Sequence, residues 1–125
     1  MEDKPQGYLL NDINKTKYWC AIANTPFGRI PAKVNAANLE QCWYIADDGS
    51  QEEYMGLDFT IIYSQKTRRP NFVKEVEHCK GNRWAVALAQ TRWGKIPGKA
   101  RDGVCHYIHN KAVYQTKNFL IVEGV

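Results

Sequence analysis

Two stretches of the chain decide its fold, because one repeats the other. Residues 18–34 read YWCAIANTPFGRIPAKV and residues 84–100 read WAVALAQTRWGKIPGKA, at an offset of 66 residues with no gap. Seven of the 17 aligned positions are identical. A repeat of this kind is sought before any other pattern, because it dictates the architecture. Each copy contains a glycine, a proline and a lysine at matching positions: Gly28, Pro31 and Lys33, then Gly94, Pro97 and Lys99.

The repeat continues beyond these segments. Two further pairs of blocks match at offsets of 63 and 60 residues: Cys42–Ile45 with Cys105–Ile108, and Phe59–Ile62 with Phe119–Val122. The blocks keep their length while the segments between them shorten, and only loops tolerate such shortening. The sequence therefore predicts two homologous halves, about residues 7–64 and 71–125, within a single domain that spans residues 1–125.

The local pattern is typical of β-structure. Short runs of β-branched, aromatic and small residues alternate with clusters of glycine, proline, asparagine and aspartate. Phe27–Pro31 and Trp93–Gly98 are interpreted as turns, and residues 34–41 are the only weak candidate for a helix. We therefore expect an all-β fold, a pseudo-twofold sandwich or barrel made of the two repeats.

Composition limits the classes of function. The 17 Lys and Arg residues against 13 Asp and Glu residues give a net charge of +4, a mild excess that specifies no partner. Residues 1–7 are polar with no apolar run behind them, so we expect no membrane span and a cytoplasmic location, with unconventional secretion as an alternative. The four cysteines are expected to be reduced thiols.

Catalytic and metal-binding motifs are missing from the sequence. There is no nucleophile elbow, no phosphate-binding glycine loop and no paired histidine motif. The pairs His78–Cys79 and Cys105–His106 lack the spacing of a zinc site. We therefore expect neither an enzyme nor a cofactor or metal.

The lysine that follows each proline needs an explanation of its own. Backbone conformation accounts for the glycine and the proline, but an exposed lysine without a task is easily lost between copies. The presence of the lysine in both copies indicates that it has a function, or that it forms the same salt bridge in each half. Asp12 lies in a polar turn 21 residues before Lys33. A carboxylate and an ammonium held together suit a vicinal diol, and aromatic rings pack on the apolar face of a sugar.

These segments resemble the DM-nine repeat family, small tandem-repeat proteins of insects, molluscs and flatworms. The resemblance rests on the two glycine-to-lysine segments, the polar turn Asp12–Lys15 and the closing strands around Phe59 and Phe119. It covers nearly the whole chain, from residue 7 to residue 123. It implies an all-β pseudo-symmetric fold and lectin-like recognition of mannose or mannose-rich glycans in innate immunity.

The resemblance also implies which residues bind the ligand. In the family, an aspartate of the polar turn and the lysine of a Pro-Gly-Lys motif hold the sugar. Asp12 and Lys33 occupy these positions in the first half, whereas the second half has Lys99 but carries His78 where Asp12 would recur. The expected ligand-binding residues are therefore Asp12, Asn14, Lys33, Glu77, His78 and Lys99.

Two other functions compete with carbohydrate binding. A nucleic-acid binder would use scattered basic residues and two interleaved tryptophans, although this charge is more simply a solvated surface. A protein-interaction module would have no sugar ligand. For a lectin, two sites or homodimerisation would raise a weak affinity per site. The residues that a nucleic-acid binder would use are Arg68, Arg69, Lys80, Arg83, Trp84, Arg92, Trp93 and Lys95.

Overall fold

Every regular element among the described residues is a β-strand. The computed structural model describes residues 8–9, 16–47, 52–71 and 83–123. In chain order the strands are β1 (Tyr8–Leu9), β2 (Lys17–Thr25), β3 (Gly28–Asn35), β4 (Cys42–Ile45), β5 (Glu53–Gly56), β6 (Phe59–Ile62), β7 (Thr67–Arg68), β8 (Ala85–Thr91), β9 (Gly94–Arg101), β10 (Val104–His109), β11 (Ala112–Thr116) and β12 (Phe119–Val122).

The strands form two antiparallel sheets. The first sheet has the order β1-β2-β3-β4-β5, and β6 also pairs with β2. The second sheet has the order β11-β10-β9-β8-β12-β7. Neither sheet closes into a barrel within the described residues. The predicted all-β class is therefore confirmed, and in the part of the chain that the structure describes the two sheets are open.

The repeated segments form the central hairpin of each sheet. Thr25 pairs with Gly28 and Thr91 pairs with Gly94, so each hairpin closes over a two-residue turn. Both glycines have positive φ angles, 106° and 115°, which residues with a side chain rarely adopt. The threonine hydroxyls bind within the turns, accepting from the backbone N–H of Phe27 and Trp93 respectively. The conserved pattern of the two segments thus encodes the same local structure.

The two prolines lie inside strands, which corrects the interpretation of Phe27–Pro31 and Trp93–Gly98 as turns. Pro31 belongs to β3 and pairs with Ile22, and Pro97 belongs to β9 and pairs with Leu88. Backbone bonds alternate along an antiparallel pair, and the N–H of Asn24 is directed away from β3, to the carbonyl of Asp58. Asn24 and Arg29 are therefore a pair without mutual hydrogen bonds, and so are Ile22 and Pro31, which lie two residues further along the ladder. The missing N–H of proline consequently costs β2–β3 no bond.

Both faces of the central strands are buried. On β2, the odd-numbered Trp19, Ala21 and Ala23 face the core of their own sheet, whereas Cys20 and Ile22 face the other way. On the side of Cys20 and Ile22, an apolar cluster joins the two sheets. It consists of Cys20, Ile22, Ile62, Val86, Leu88 and Val122. The small residues of β2 and β8 leave room for this packing on both sides.

The weak helix candidate at residues 34–41 is not a helix. Strand β3 runs to Asn35, whose side-chain oxygen accepts from the backbone N–H of Ala37, and Asn38 caps Glu40 in the same way. Asparagine side chains that bind nearby backbone compete with helix formation and favour turns. No helix among the described residues has the length and apolarity needed to cross a membrane.

The described cysteines are free thiols, as predicted. Cys20, Cys42 and Cys105 are buried and unbridged, and Cys79 lies outside the described residues. Burial raises the pKa of all three thiols, that of Cys105 to about 12. They consequently behave as small apolar core residues.

Candidate functional site: two lysines between the sheets

Lys33 and Lys99 lie between the two sheets, and both are buried. Their exposed fractions are 7% and 3%. Alternation along β3 directs Ile30, Ala32 and Val34 to the core of the first sheet, so that Lys33 points towards the second. The expectation that these lysines are exposed is therefore wrong.

Each lysine donates a hydrogen bond to a backbone carbonyl of the opposite sheet. Lys33 Nζ lies 2.8 Å from the carbonyl oxygen of Ile108, and Lys99 Nζ lies 2.9 Å from that of Ile45. Ile45 and Ile108 occupy matching positions of the aligned blocks. The two bonds are therefore equivalent and reciprocal, each half supplying one donor and one acceptor.

An aromatic ring lies beneath each ammonium group. Lys33 Nζ is 4.7 Å from the centroid of Tyr18, and Lys99 Nζ is 4.1 Å from that of Trp84. Residues 18 and 84 are also matching positions of the repeat. The ring attracts the cation through its negative face, which offsets part of the cost of burial.

Electrostatics around Lys33 favour a labile proton. Burial lowers the pKa of Lys33 to about 8, and the carboxylate of Glu53 acts in the opposite direction. Burial disfavours the charged form of any amine, whereas a nearby acid stabilises it. The carboxylate of Glu53 therefore offsets part of the effect of burial on the Lys33 ammonium.

The strands that carry the two lysines pack tightly against each other. The space between them, bounded by Pro31–Lys33 and Pro97–Lys99, is a cavity of about 10 Å³. This is the size of about one water molecule. A sugar does not fit in the space between the two strands.

A larger cavity of about 370 Å³ opens on one side of Lys99. Its volume falls at the lower end of the range of about 300–1,000 Å³ that is typical of small-molecule sites. Residues of both halves contribute, because the end of β4 lies against the second sheet. The lining consists of Ile45, Ala46, Asp47, Trp84, Lys99, Arg101, Asp102, Val104, His106, Val113 and Gln115.

Trp84 organises the charged groups of this cavity. The guanidinium carbon of Arg101 lies 3.7 Å from the centroid of its indole, and the imidazole of His106 packs edge-on at 5.6 Å. Arg101 Nη2 also lies 3.8 Å from Asp47 Oδ1. Lys99 and Arg101 therefore both lie against the same indole ring, which attracts each cation through its negative face.

His106 is held in its neutral form near pH 7. Burial lowers its pKa, and the charges of Lys99 and Arg101 lower it further. A neutral imidazole offers one donor and one acceptor. The indole Nε1 of Trp84 is buried and has no hydrogen-bond acceptor among the described residues.

The structure brings together some of the predicted ligand-binding residues. Lys33 and Lys99 lie at the same interface, whereas the other four, Asp12, Asn14, Glu77 and His78, lie outside the described residues. Sequence reasoning missed Arg101 and Asp47 altogether. Arg101 follows Lys99 by two residues on the same strand face, so alternation alone would have revealed it. No sequence pattern around Asp47 identifies it, because only the packing of the two sheets brings its side chain to the cavity.

Comparison with known proteins adds no further constraint. No family model, no curated protein and no solved structure matches the chain. Function is therefore inferred from the cavity, from the two lysines and from the resemblance of the repeated segments.

Proposed function

We propose that this chain is a lectin-like carbohydrate-binding protein, built from two homologous halves about a pseudo-twofold axis, that recognises mannose or mannose-rich glycans. One observation carries the proposal: the lining of the 370 Å³ cavity. It combines two carboxylates, two cations, an imidazole, an amide and an indole. Such a mixture of donors and acceptors is what a polyhydroxylated ligand requires.

The chemistry of a sugar hydroxyl explains this fit. A hydroxyl donates one hydrogen bond and accepts two, so its best surroundings contain both carboxylates and cationic donors. Hydrogen bonds to charged groups are shorter and stronger than those between neutral groups. Asp47, Lys99 and Arg101 supply both kinds of charge within one cavity.

In the first half, Lys33 is the proposed centre of the sugar site. The carboxylate of Glu53 raises the pKa of its ammonium, and a carboxylate together with an ammonium is the combination of charges expected to hold a vicinal diol. Asp12 is proposed as the second acid of this site, on the strength of the family resemblance. Both lysines sit at matching positions with matching partners, which supports one site in each half.

A glycan array on the wild-type protein and on single lysine variants tests the proposal. We expect the wild type to bind mannose-rich glycans, and Lys33→Met and Lys99→Met each to lose part of the signal. Lys95→Met is a matched control, because Lys95 is an exposed lysine of β9. Circular dichroism would establish that each variant is folded. A wild type that binds no glycan overturns the proposal.

A salt titration separates this function from nucleic-acid binding. Affinity dominated by phosphate contacts falls about 10³-fold or more between about 50 and about 200 mM salt, if six or more phosphates are contacted. Sugar binding should change little over this range. Strong, salt-sensitive binding of RNA or DNA, with no binding of glycans, would favour the alternative.

A further inference from the structure

We infer that Asp47 supplies the acid of a second sugar site, in which Asp47 and Arg101 together hold one hydroxyl of a saccharide beside Lys99. The inference rests on the proposed function and names the ligand-holding groups of one of its sites. In the second half His78 occupies the position that corresponds to Asp12, with Glu77 beside it, so no acid lies at that position itself. Asp47 would supply this acid from the other half of the chain.

The distance between the two side chains suits a bridging hydroxyl. Arg101 Nη2 and Asp47 Oδ1 are 3.8 Å apart, longer than the 2.7–2.9 Å of a direct charge-assisted hydrogen bond. A hydroxyl oxygen can lie about 2.8 Å from both atoms at once. It would accept from the guanidinium and donate to the carboxylate.

Burial gives the two partners different roles. The Arg101 side chain is only 22% exposed and is stacked on Trp84, so its orientation is fixed before a ligand arrives. The Asp47 side chain is 34% exposed and lies at the edge of the cavity, where a ligand can reach it. A fixed donor and a reachable acceptor reduce the entropy that binding must overcome.

The other acid of the cavity lining is less well placed. Asp102 is exposed in the turn between β9 and β10, where its φ angle is 56°. Arg101 forms an ion pair with Asp47, whose carboxylate lies 3.8 Å from Nη2. We therefore assign the acid that accepts from the bridging hydroxyl to Asp47.

The site would join the two sheets. Asp47 follows β4 of the first sheet, whereas Arg101 ends β9 of the second. A sugar that contacts both Asp47 and Arg101 can bind only the folded chain, in which the two sheets are packed together. Saturating sugar should consequently raise the melting temperature of the wild type, and raise it less for a variant that lacks Asp47.

Isothermal titration calorimetry with methyl α-D-mannopyranoside tests the assignment. We expect two sugars to bind per wild-type chain, and Asp47→Asn to lose the second site, with affinity there falling at least about tenfold. Lys33→Met should lose the first site and keep the second. Asp58→Asn is the control, because it removes an equal charge from an exposed turn outside the cavity.

The outcomes separate this assignment from the wider proposal. If Asp47→Asn binds like the wild type, with two sugars or with a single one that Lys33→Met abolishes, the Asp47 site is wrong and sugar binding stands. If the wild type binds neither this sugar nor any glycan of the array, both fall. Asp47 is partly exposed, so its variant should remain folded, and its unfolding midpoint without sugar checks this.

Discussion

Lys33 is held between a backbone carbonyl and a tyrosine ring, and little water reaches its ammonium group. A charged amine in such surroundings loses hydration that a single hydrogen bond does not fully replace. The pKa of about 8 expresses this cost. The same position in the second half, Lys99, has the same kinds of partner. Retention of a costly residue in both halves is expected if the ammonium also serves a ligand.

The lowered pKa of Lys33 predicts how stability depends on pH. The folded value of about 8 lies below the value of about 10.4 for an unfolded lysine, so the unfolded chain binds more protons between these values. The Lys33 contribution to the free energy of unfolding should therefore rise with pH across this window, by up to about 3 kcal/mol. Buried thiols act in the opposite direction, since their raised pKa values favour the unfolded state at high pH.

The contribution of Lys33 to the pH dependence of stability can be isolated by comparing the wild type with a variant that lacks this lysine. We would measure denaturant unfolding of the wild type and of Lys33→Met from about pH 7 to about pH 10.5, and subtract the two free energies. The difference should increase with pH in favour of the wild type. Lys95→Met, which replaces an exposed lysine of β9, is the control for the loss of a lysine as such. A flat difference for Lys33 would contradict its burial as a charged group.

At the scale of the strand, the difference between the two lysine motifs at the residue before the lysine has a packing cause. Ala32 precedes Lys33, whereas Gly98 precedes Lys99. A Cβ placed on Gly98 would lie 2.5 Å from the backbone oxygen of His106 and 2.9 Å from the Sγ atom of Cys105. Strand β10 thus approaches β9 so closely that only glycine fits.

Gly98→Ala should therefore destabilise the fold. The close contact is with backbone, which cannot rotate away, so β9 and β10 must separate; we expect a loss of about 1–3 kcal/mol. Thermal or denaturant unfolding measures it. Ala32→Gly is the matched change in the first half and should cost only about 1 kcal/mol, through chain entropy. A Gly98→Ala variant that is as stable as the wild type would refute the packing explanation.

Most strands could be predicted from the sequence, because they are local patterns. Residues 59–62 and 119–122 were expected as strands and are β6 and β12. The glycine–proline segments were misread, since proline usually ends a strand. Here the residue falls in a pair without mutual hydrogen bonds, and that register depends on a turn two residues long. The sequence shows where the proline is. Whether a strand tolerates it depends on whether its position falls in a pair with or without mutual backbone hydrogen bonds.

At the scale of the whole molecule, the two sheets depend on each other. Leu88 and Val86 pack against Cys20 and Ile62 across the interface. Each lysine also relies on a carbonyl of the other sheet. These non-local contacts could not be predicted, because the repeat indicates that two similar halves exist but not which faces meet. For the same reason, Asp47 was not recognised as a neighbour of Arg101.

This interdependence predicts that neither half folds alone. A fragment of residues 71–125 would expose the apolar side chains of the shared cluster and leave Lys99 without its carbonyl. We expect no cooperative thermal transition in its circular dichroism. Mixing it with residues 1–70 should restore the signal of the intact chain. A fragment that unfolds cooperatively by itself would contradict the joint core.

The central claim is that a sugar enters the cavity beside Lys99, and a nuclear magnetic resonance titration tests it most directly. With a ¹⁵N-labelled chain and methyl α-D-mannopyranoside, we expect saturable shifts of the Trp84 indole N–H and of the backbone N–H groups of Asp47 and Arg101. The indole N–H of Trp93, which does not line the cavity, is the internal control. Shifts confined to other surfaces, or no shift at saturating sugar, would contradict the claim.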